Sequence, residues 1–209
     1  MKGKNFICNC PRCADPTELG TFGCSLVCQK CKSKKKEGKL TKDDDKGLIM
    51  AFKTDSNRGS DERKSKVENV FIWKCNLCGI EKSEKEVETL CAILHQKCED
   101  LINRIPDENS ICDYEAFIKK YSGTLLHPNH MFLTNLKYSL SGFYGRLEGY
   151  QMHQMDETAL LRKKQVCEEA LHVLNKLDPG ISPRRGLLCL YSTLTVRVYS
   201  FLNHVTSDK

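Results

Sequence analysis

The sequence predicts a mostly α-helical protein: a small zinc-ribbon-like region, then tetratricopeptide-like antiparallel helical hairpins. Three observations predict it. Two C-x-x-C turns, "CQKC" at 28–31 and "CNLC" at 75–78, can aim four thiolates at one point. From Ser83 onward, apolar residues recur at three- and four-residue steps through five segments. The connections between those segments are short, which makes neighbours antiparallel. No clean 34-residue repeat is present, so helical hairpins are the firmer part of this expectation.

The knuckles come first. Each C-x-x-C is a tight turn, and two of them complete a tetrahedral all-sulfur site. Cys28, Cys31, Cys75 and Cys78 are therefore expected to bind one zinc ion. With four cysteine ligands and no open position, such a metal is structural, not catalytic. Gly79 follows the second knuckle, where a residue free to adopt positive φ is useful. The intervening stretch is longer than in an ordinary ribbon, which costs little because closure entropy grows slowly with loop length. Residues 28–82 read as this zinc-ribbon-like region, with a long basic insertion over 32–68 whose one apolar patch is "LIMAF". Most of the insertion reads as loop. "NVFIWKC" has the aromatic and β-branched clustering of a short strand.

A second cysteine group opens the chain. Cys8, Cys10 and Cys13 lie within "FICNCPRC", one ligand short of a closed site, and Cys24 is the nearest thiol that could complete it.

Residues 83–209 read as the helical domain. Ser83 and Glu86 stand at capping-box spacing. Val87, Leu90, Cys91, Leu94, Cys98, Leu101 and Ile105 then share one face, and Pro106 stops the helix. "CDYEAFIKKYSGTL" is a shorter helix. Asn129 is the expected N-cap of the next, with Leu133, Leu136, Leu140 and Tyr144 on one face. "DETALLRKKQVCEEALHVLNKLDPG" is a long helix closed by Asp178, Pro179 and Gly180. The last carries Leu187, Tyr191, Leu194, Val198, Phe201 and Val205 on one face, which the end of the array leaves exposed. Cys91, Cys98, Cys112, Cys167 and Cys189 sit in helical segments and are expected to act as small apolar residues. His127 and His130 in "LHPNH" have ligand-like spacing, but the helix start beside them favours a capping role.

Composition bounds the function. The 209 residues carry a formal net charge of +6, with 18 basic and 11 acidic residues up to Lys82 and 15 and 16 beyond it. The basic excess thus belongs to the cysteine-rich part. It reads as a solvated lysine-rich loop, and without interleaved aromatic residues nucleic-acid binding is not expected. No stretch has the ~18 uninterrupted apolar residues of a membrane helix. The start "MKGKNFICNC" has no apolar signal-peptide core, so the 13 cysteines are expected to be reduced or metal-bound, in the cytoplasm, the nucleus or both. There is no G-x-S-x-G, phosphate-binding loop or H-E-x-x-H.

"F-x-C-x-C-x-x-C" at 6–13, "DPTELGT" at 15–21 and C-x-x-C … W-x-C-x-x-C at 28–31 and 73–78 resemble the SET-and-MYND proteins, specifically the arthropod SmydA branch. "LHPNHMFLTNLKYSLSGFYGR" at 126–146 and "LNKLDPGISPRRG" at 174–186 resemble the helical C-terminal region of that branch. The resemblance implies a protein-lysine N-methyltransferase family that uses S-adenosylmethionine. It implies that residues 1–27 are a post-SET-like segment, and that Cys8, Cys10 and Cys13 share a zinc ion with a cysteine of a SET core. Phe6 would pack near the cofactor adenine. The sequence departs from the family in having no N-H-S-C motif, no cofactor-binding glycines, no catalytic tyrosine segment and no MYND finger. The expectation is therefore the C-terminal portion of such a protein, without methyltransferase activity by itself. The alternative expectation is a zinc-stabilised protein–protein interaction module.

Overall fold

The computed structural model describes residues 10–33, 45–53 and 71–207, with side chains up to residue 200. Phe6 and Cys8 lie outside the described residues, and so do the side chains of Phe201 and Val205. The described chain is mostly helical and carries one small antiparallel sheet.

Two single-turn helices, α1 (Pro11–Ala14) and α2 (Gln29–Lys32), flank β1 (Leu26–Val27). β2 (Leu48–Lys53), β3 (Phe71–Cys75) and β4 (Glu81–Lys82) follow, in the spatial order β1-β2-β3-β4. The apolar patch inside the basic insertion is thus β2, paired on both sides. Its register with β3 runs from Ile49 opposite Cys75 to Lys53 opposite Phe71. Alternation along the strand divides the sheet. Ile49, Trp73 and Cys75 face the main core, while Leu48 and Met50 face a smaller cluster with Phe22 and Val27.

Five long helices follow: α3 (Glu84–Asn103), α4 (Ser110–Tyr121), α5 (Met131–Phe143), α6 (Glu157–Leu177) and α7 (Pro183–Ser207). The expected capping box opens α3. Ser83 Oγ accepts from the Glu86 amide at 3.3 Å, and the Glu86 carboxylate accepts from the Ser83 amide at 2.9 Å. The α3 face is as expected through Leu101, but the helix ends at Asn103 and Ile105 is 86% exposed. Asp156 caps α6 by accepting from the Ala159 amide at 2.8 Å.

Side-chain contacts give the helix directions. Lys137 reaches Glu169 while Lys163 reaches the Tyr144 carbonyl, so α5 and α6 are antiparallel. Arg185 donates to Asn175 at 2.9 Å while Tyr199 donates to Glu157 at 3.0 Å, so α6 and α7 are antiparallel too. On the expected α7 face, Leu187 and Leu194 are exposed as anticipated and Tyr191 and Val198 are half-buried, while the fully buried Leu188 and Thr195 lie one position along from it.

The sheet and the helices share one core. Leu26, Ile49 and Cys75 belong to the same buried cluster as Leu94, Tyr114, Leu126, Leu133 and Leu140. Backbone bonds join them directly. The Val27 amide donates to the Leu125 carbonyl at 2.8 Å, and the His127 amide to the Ser25 carbonyl at 3.1 Å. Whatever fixes the sheet therefore fixes the α4–α5 connection as well. Among the described residues, no helix is long and apolar enough to cross a membrane.

Candidate metal centre

The first knuckle leaves β1. Cys28 follows the strand as the N-cap residue of α2, and its amide donates to the Gly47 carbonyl at 2.9 Å. One turn of α2 then turns Cys31 back to the same point. The second knuckle leaves β3, whose last residue is Cys75. The amides of Leu77 and Cys78 point at Cys75 Sγ at 3.4 and 3.5 Å, and the Gly79 amide closes the turn on the Cys75 carbonyl at 3.1 Å. Gly79 has φ +70°, the conformation anticipated for it.

Together these turns bring the four thiols into one cluster. Cys28 Sγ lies 3.7 Å from Cys78 Sγ, Cys31 Sγ lies 3.7 Å from Cys75 Sγ, and all four sulfurs lie within 4.8 Å of one another. A tetrahedron of sulfurs around an ion at about 2.3 Å has edges of about 3.8 Å. A disulfide would need about 2.05 Å. The spacing is that of ligands round a shared ion. Cys28, Cys31 and Cys75 are buried, and Cys78 is partly exposed.

The thiols differ electrostatically. Desolvation pushes the Cys28 and Cys31 thiols above the ordinary thiol range. The hydrogen bond from the Ile80 amide holds the Cys78 thiol below it. A divalent cation replaces these thiol protons on binding.

Two residues that sequence reasoning missed hold the knuckles together. Asn76, the first residue inside C-x-x-C, bridges to the start of β2. Its Oδ1 accepts from the amides of Gly47 and Leu48 at 2.9 and 3.0 Å, and its Nδ2 donates to the Asp45 carbonyl. Gly47 has φ +78°, and a Cβ there would stand 3.1 Å from Cys31 Cβ. The only available signal was a glycine before an apolar run, which does not single out a partner.

The N-terminal group stands differently. Cys10 and Cys13 flank and belong to α1, at exposed positions. Cys24 does not join them. Among the described residues, the four-thiol set is the only group of three or more His, Cys, Asp or Glu side chains gathered closely enough for one ion. The Cys24 amide donates to the Glu18 carboxylate at 2.9 Å, and desolvation followed by the Glu18 charge pushes its thiol up to about 12. Of the helical cysteines, Cys98 and Cys167 are buried as expected, whereas Cys112 and Cys189 are exposed.

His130 takes the capping role, so the capping residue differs from expectation. His130, not Asn129, caps α5, its Nδ1 accepting from the Phe132 amide at 3.3 Å. His127 Nδ1 accepts from the Asn129 amide at 3.2 Å. Desolvation, reinforced by His127, pushes His130 down to about 3, so it is neutral at physiological pH.

No family model matches the chain, and no curated protein matches it.

Proposed function

We propose that the chain is a zinc-stabilised scaffold for protein binding. Cys28, Cys31, Cys75 and Cys78 hold one structural zinc ion as thiolates. The ion locks the two knuckles, the knuckles fix the sheet, and the shared core carries that order into α3–α7. The helices stack as tetratricopeptide-like hairpins and offer a face to a protein partner. The observation that carries this reading is the sulfur geometry, with 3.7 Å across both pairs. Four thiolates leave no open position on zinc, which favours a structural over a catalytic ion. Exposed Leu187, Leu190 and Leu194 on α7, at i, i+3 and i+7, support the partner face.

On the sequence motifs alone, we place this scaffold in the SET-and-MYND family, as the C-terminal portion of a SmydA-like protein. In that setting the family's methyl transfer from S-adenosylmethionine belongs to a SET core whose motifs these 209 residues do not contain.

Metal analysis of the purified protein tests the scaffold. We expect one zinc per chain, and loss of thermal stability on chelation. Absence of bound metal after zinc-supplemented expression overturns the reading. Calorimetry with S-adenosylmethionine tests the division of labour. No binding is expected, and turnover of a histone or peptide substrate overturns it.

A further inference from the structure

We propose that the four-thiol centre is also an oxidant-sensitive release point, at which a hydroperoxide oxidises Cys78, Cys78 closes a disulfide with Cys28, and the metal is discharged. This rests on the zinc reading above.

Exposure within the centre is graded. Cys28, Cys31 and Cys75 are 1%, 6% and 2% exposed, and only Cys78 is reachable from solvent. An oxidant therefore meets Cys78 first. Its neighbours in the turn, Leu77 and Gly79, are exposed as well.

Backbone constraint is graded in the same order. Cys75 is fixed in β3 opposite Ile49. The Cys28 amide is hydrogen-bonded to the Gly47 carbonyl, and Cys31 occupies the space a Gly47 Cβ would need. Cys78 sits in the turn between β3 and β4 and belongs to neither strand.

The sulfur paired with it is already near. Cys28 Sγ, from the other knuckle, lies 3.7 Å away, and a disulfide bond is about 2.05 Å long. The closure joins the partly exposed thiol to a buried one.

The chemistry balances in two steps. The Cys78 thiolate attacks one peroxide oxygen. An S–O bond forms, the O–O bond breaks, and hydroxide or alkoxide leaves and takes a proton from water. Cys78 is then a sulfenic acid. The Cys28 thiolate attacks that sulfur. An S–S bond forms, the S–O bond breaks, and hydroxide leaves to become water. The two thiolates have given two electrons to the peroxide. Cys31 and Cys75 remain, half of a tetrahedral ligand set, and the ion is lost.

The test titrates the zinc-loaded protein with hydrogen peroxide beside a chromogenic zinc chelator, with peptide mapping by mass spectrometry. Zinc release should track formation of a Cys28–Cys78 disulfide, and reductant plus zinc should restore the bound ion. Dimedone trapping at sub-stoichiometric peroxide should label Cys78 before Cys28, Cys31 or Cys75. Cys10, Cys13, Cys24, Cys112 and Cys189 are exposed and compete for peroxide, so their labelling serves as the internal reference. Cys78→His keeps a competent zinc ligand and removes the oxidisable sulfur, and its release should slow at least about tenfold. Release at the native rate from Cys78→His, first labelling at another centre cysteine, or a disulfide that excludes Cys78 would each overturn the proposal. If Cys78→His binds no zinc, the labelling order in the native protein decides. Protein that holds zinc but resists peroxide sinks this proposal alone, whereas protein that never holds zinc sinks the reading beneath it.

Discussion

Asn76 and Gly47 clamp the two halves of the metal centre to each other. The Asn76 side chain, inside the second knuckle, accepts the Gly47 amide at 2.9 Å, while the Gly47 carbonyl accepts the Cys28 amide of the first knuckle. The hydrogen-bond chain from Cys28 through Gly47 to Asn76 is continuous. Glycine suits this position best. It takes φ +78°, and its missing Cβ leaves room for Cys31. Gly47→Ala should therefore cost about 1–2 kcal/mol in backbone conformation alone, and more from the contact with Cys31. Zinc affinity should fall at least about tenfold, read by competition with a chelator. Asn76→Ala should destabilise the holoprotein by about 1–3 kcal/mol, because it strips partners from two backbone amides and a carbonyl. Unchanged affinity in both variants would show that the clamp does not organise the site.

Metal binding should depend steeply on pH, with a sign that follows from burial. Desolvation raises Cys28 and Cys31, so without an ion these thiols keep their protons at neutral pH. Binding must expel them. Apparent zinc affinity should rise with pH from 6 to 8, and proton release should be measurable by calorimetry in buffers of different ionisation enthalpy. An affinity flat across that range would contradict the assignment.

The two knuckles were legible because each is a local pattern of four residues, and the α3 capping box because it spans four. Their assembly was not legible. Asn76 meets Gly47 across 29 positions, and nothing in C-N-L-C says that the asparagine reaches another strand. The α5 cap was misplaced by one residue. Asn129 is the better capper by type, yet it is the His130 ring that accepts the Phe132 amide. The α6 interior hides a further pattern. Lys163 is buried, its charge facing the Tyr144 carbonyl and the Tyr191 ring, and Lys137 is buried against Glu169. A lysine in a helix reads as surface until its partner is known.

That buried pair makes a test of its own. Lys137 Nζ lies 2.8 Å from a Glu169 oxygen and donates to the Pro128 carbonyl at 2.8 Å. Glu169→Gln leaves the buried ammonium without its countercharge and should cost about 3–5 kcal/mol. Lys137→Met removes the charge and keeps the volume, and Arg162, 4.0 Å from Glu169, still compensates the carboxylate. It should cost less. The double variant should recover part of the Glu169→Gln loss, giving a coupling energy of about 0.5–3 kcal/mol in a denaturation cycle. Strict additivity would mean that the pair does not interact.

His130 should impose an acid limit distinct from that of the metal site. Burial beside His127 pushes it down to about 3 when folded, against about 6.5 for an unperturbed histidine. Between those values the unfolded chain holds the extra proton, so stability rises with pH across this window. It is fully present above about pH 6.5 and is lost progressively on acidification, at up to about 1.4 kcal/mol per pH unit. His130→Asn keeps a capping side chain and removes the titration. Its denaturation free energy, measured against native protein from pH 4.5 to 7, should have the shallower slope. Equal slopes would assign the acid loss to the thiolates instead.

The face of α7 that meets α6 is settled by neighbouring leucines. Leu187, Leu190 and Leu194 line one side of the helix and Leu188 stands about 100° from Leu187, so apolar spacing alone admits two faces one residue apart. Leu188 is fully buried with Cys167 and Ala170 of α6, while Leu187, Leu190 and Leu194 face solvent. Leu188→Ala should cost about 2–5 kcal/mol through the cavity it leaves. Leu187→Ala should stay within about 0.5 kcal/mol. If a protein partner covers the exposed stripe, Leu190→Glu should abolish its capture while the zinc content and helical circular dichroism stay unchanged. Destabilisation by Leu187→Ala equal to that by Leu188→Ala would instead bury the stripe within the fold and remove it as a docking face.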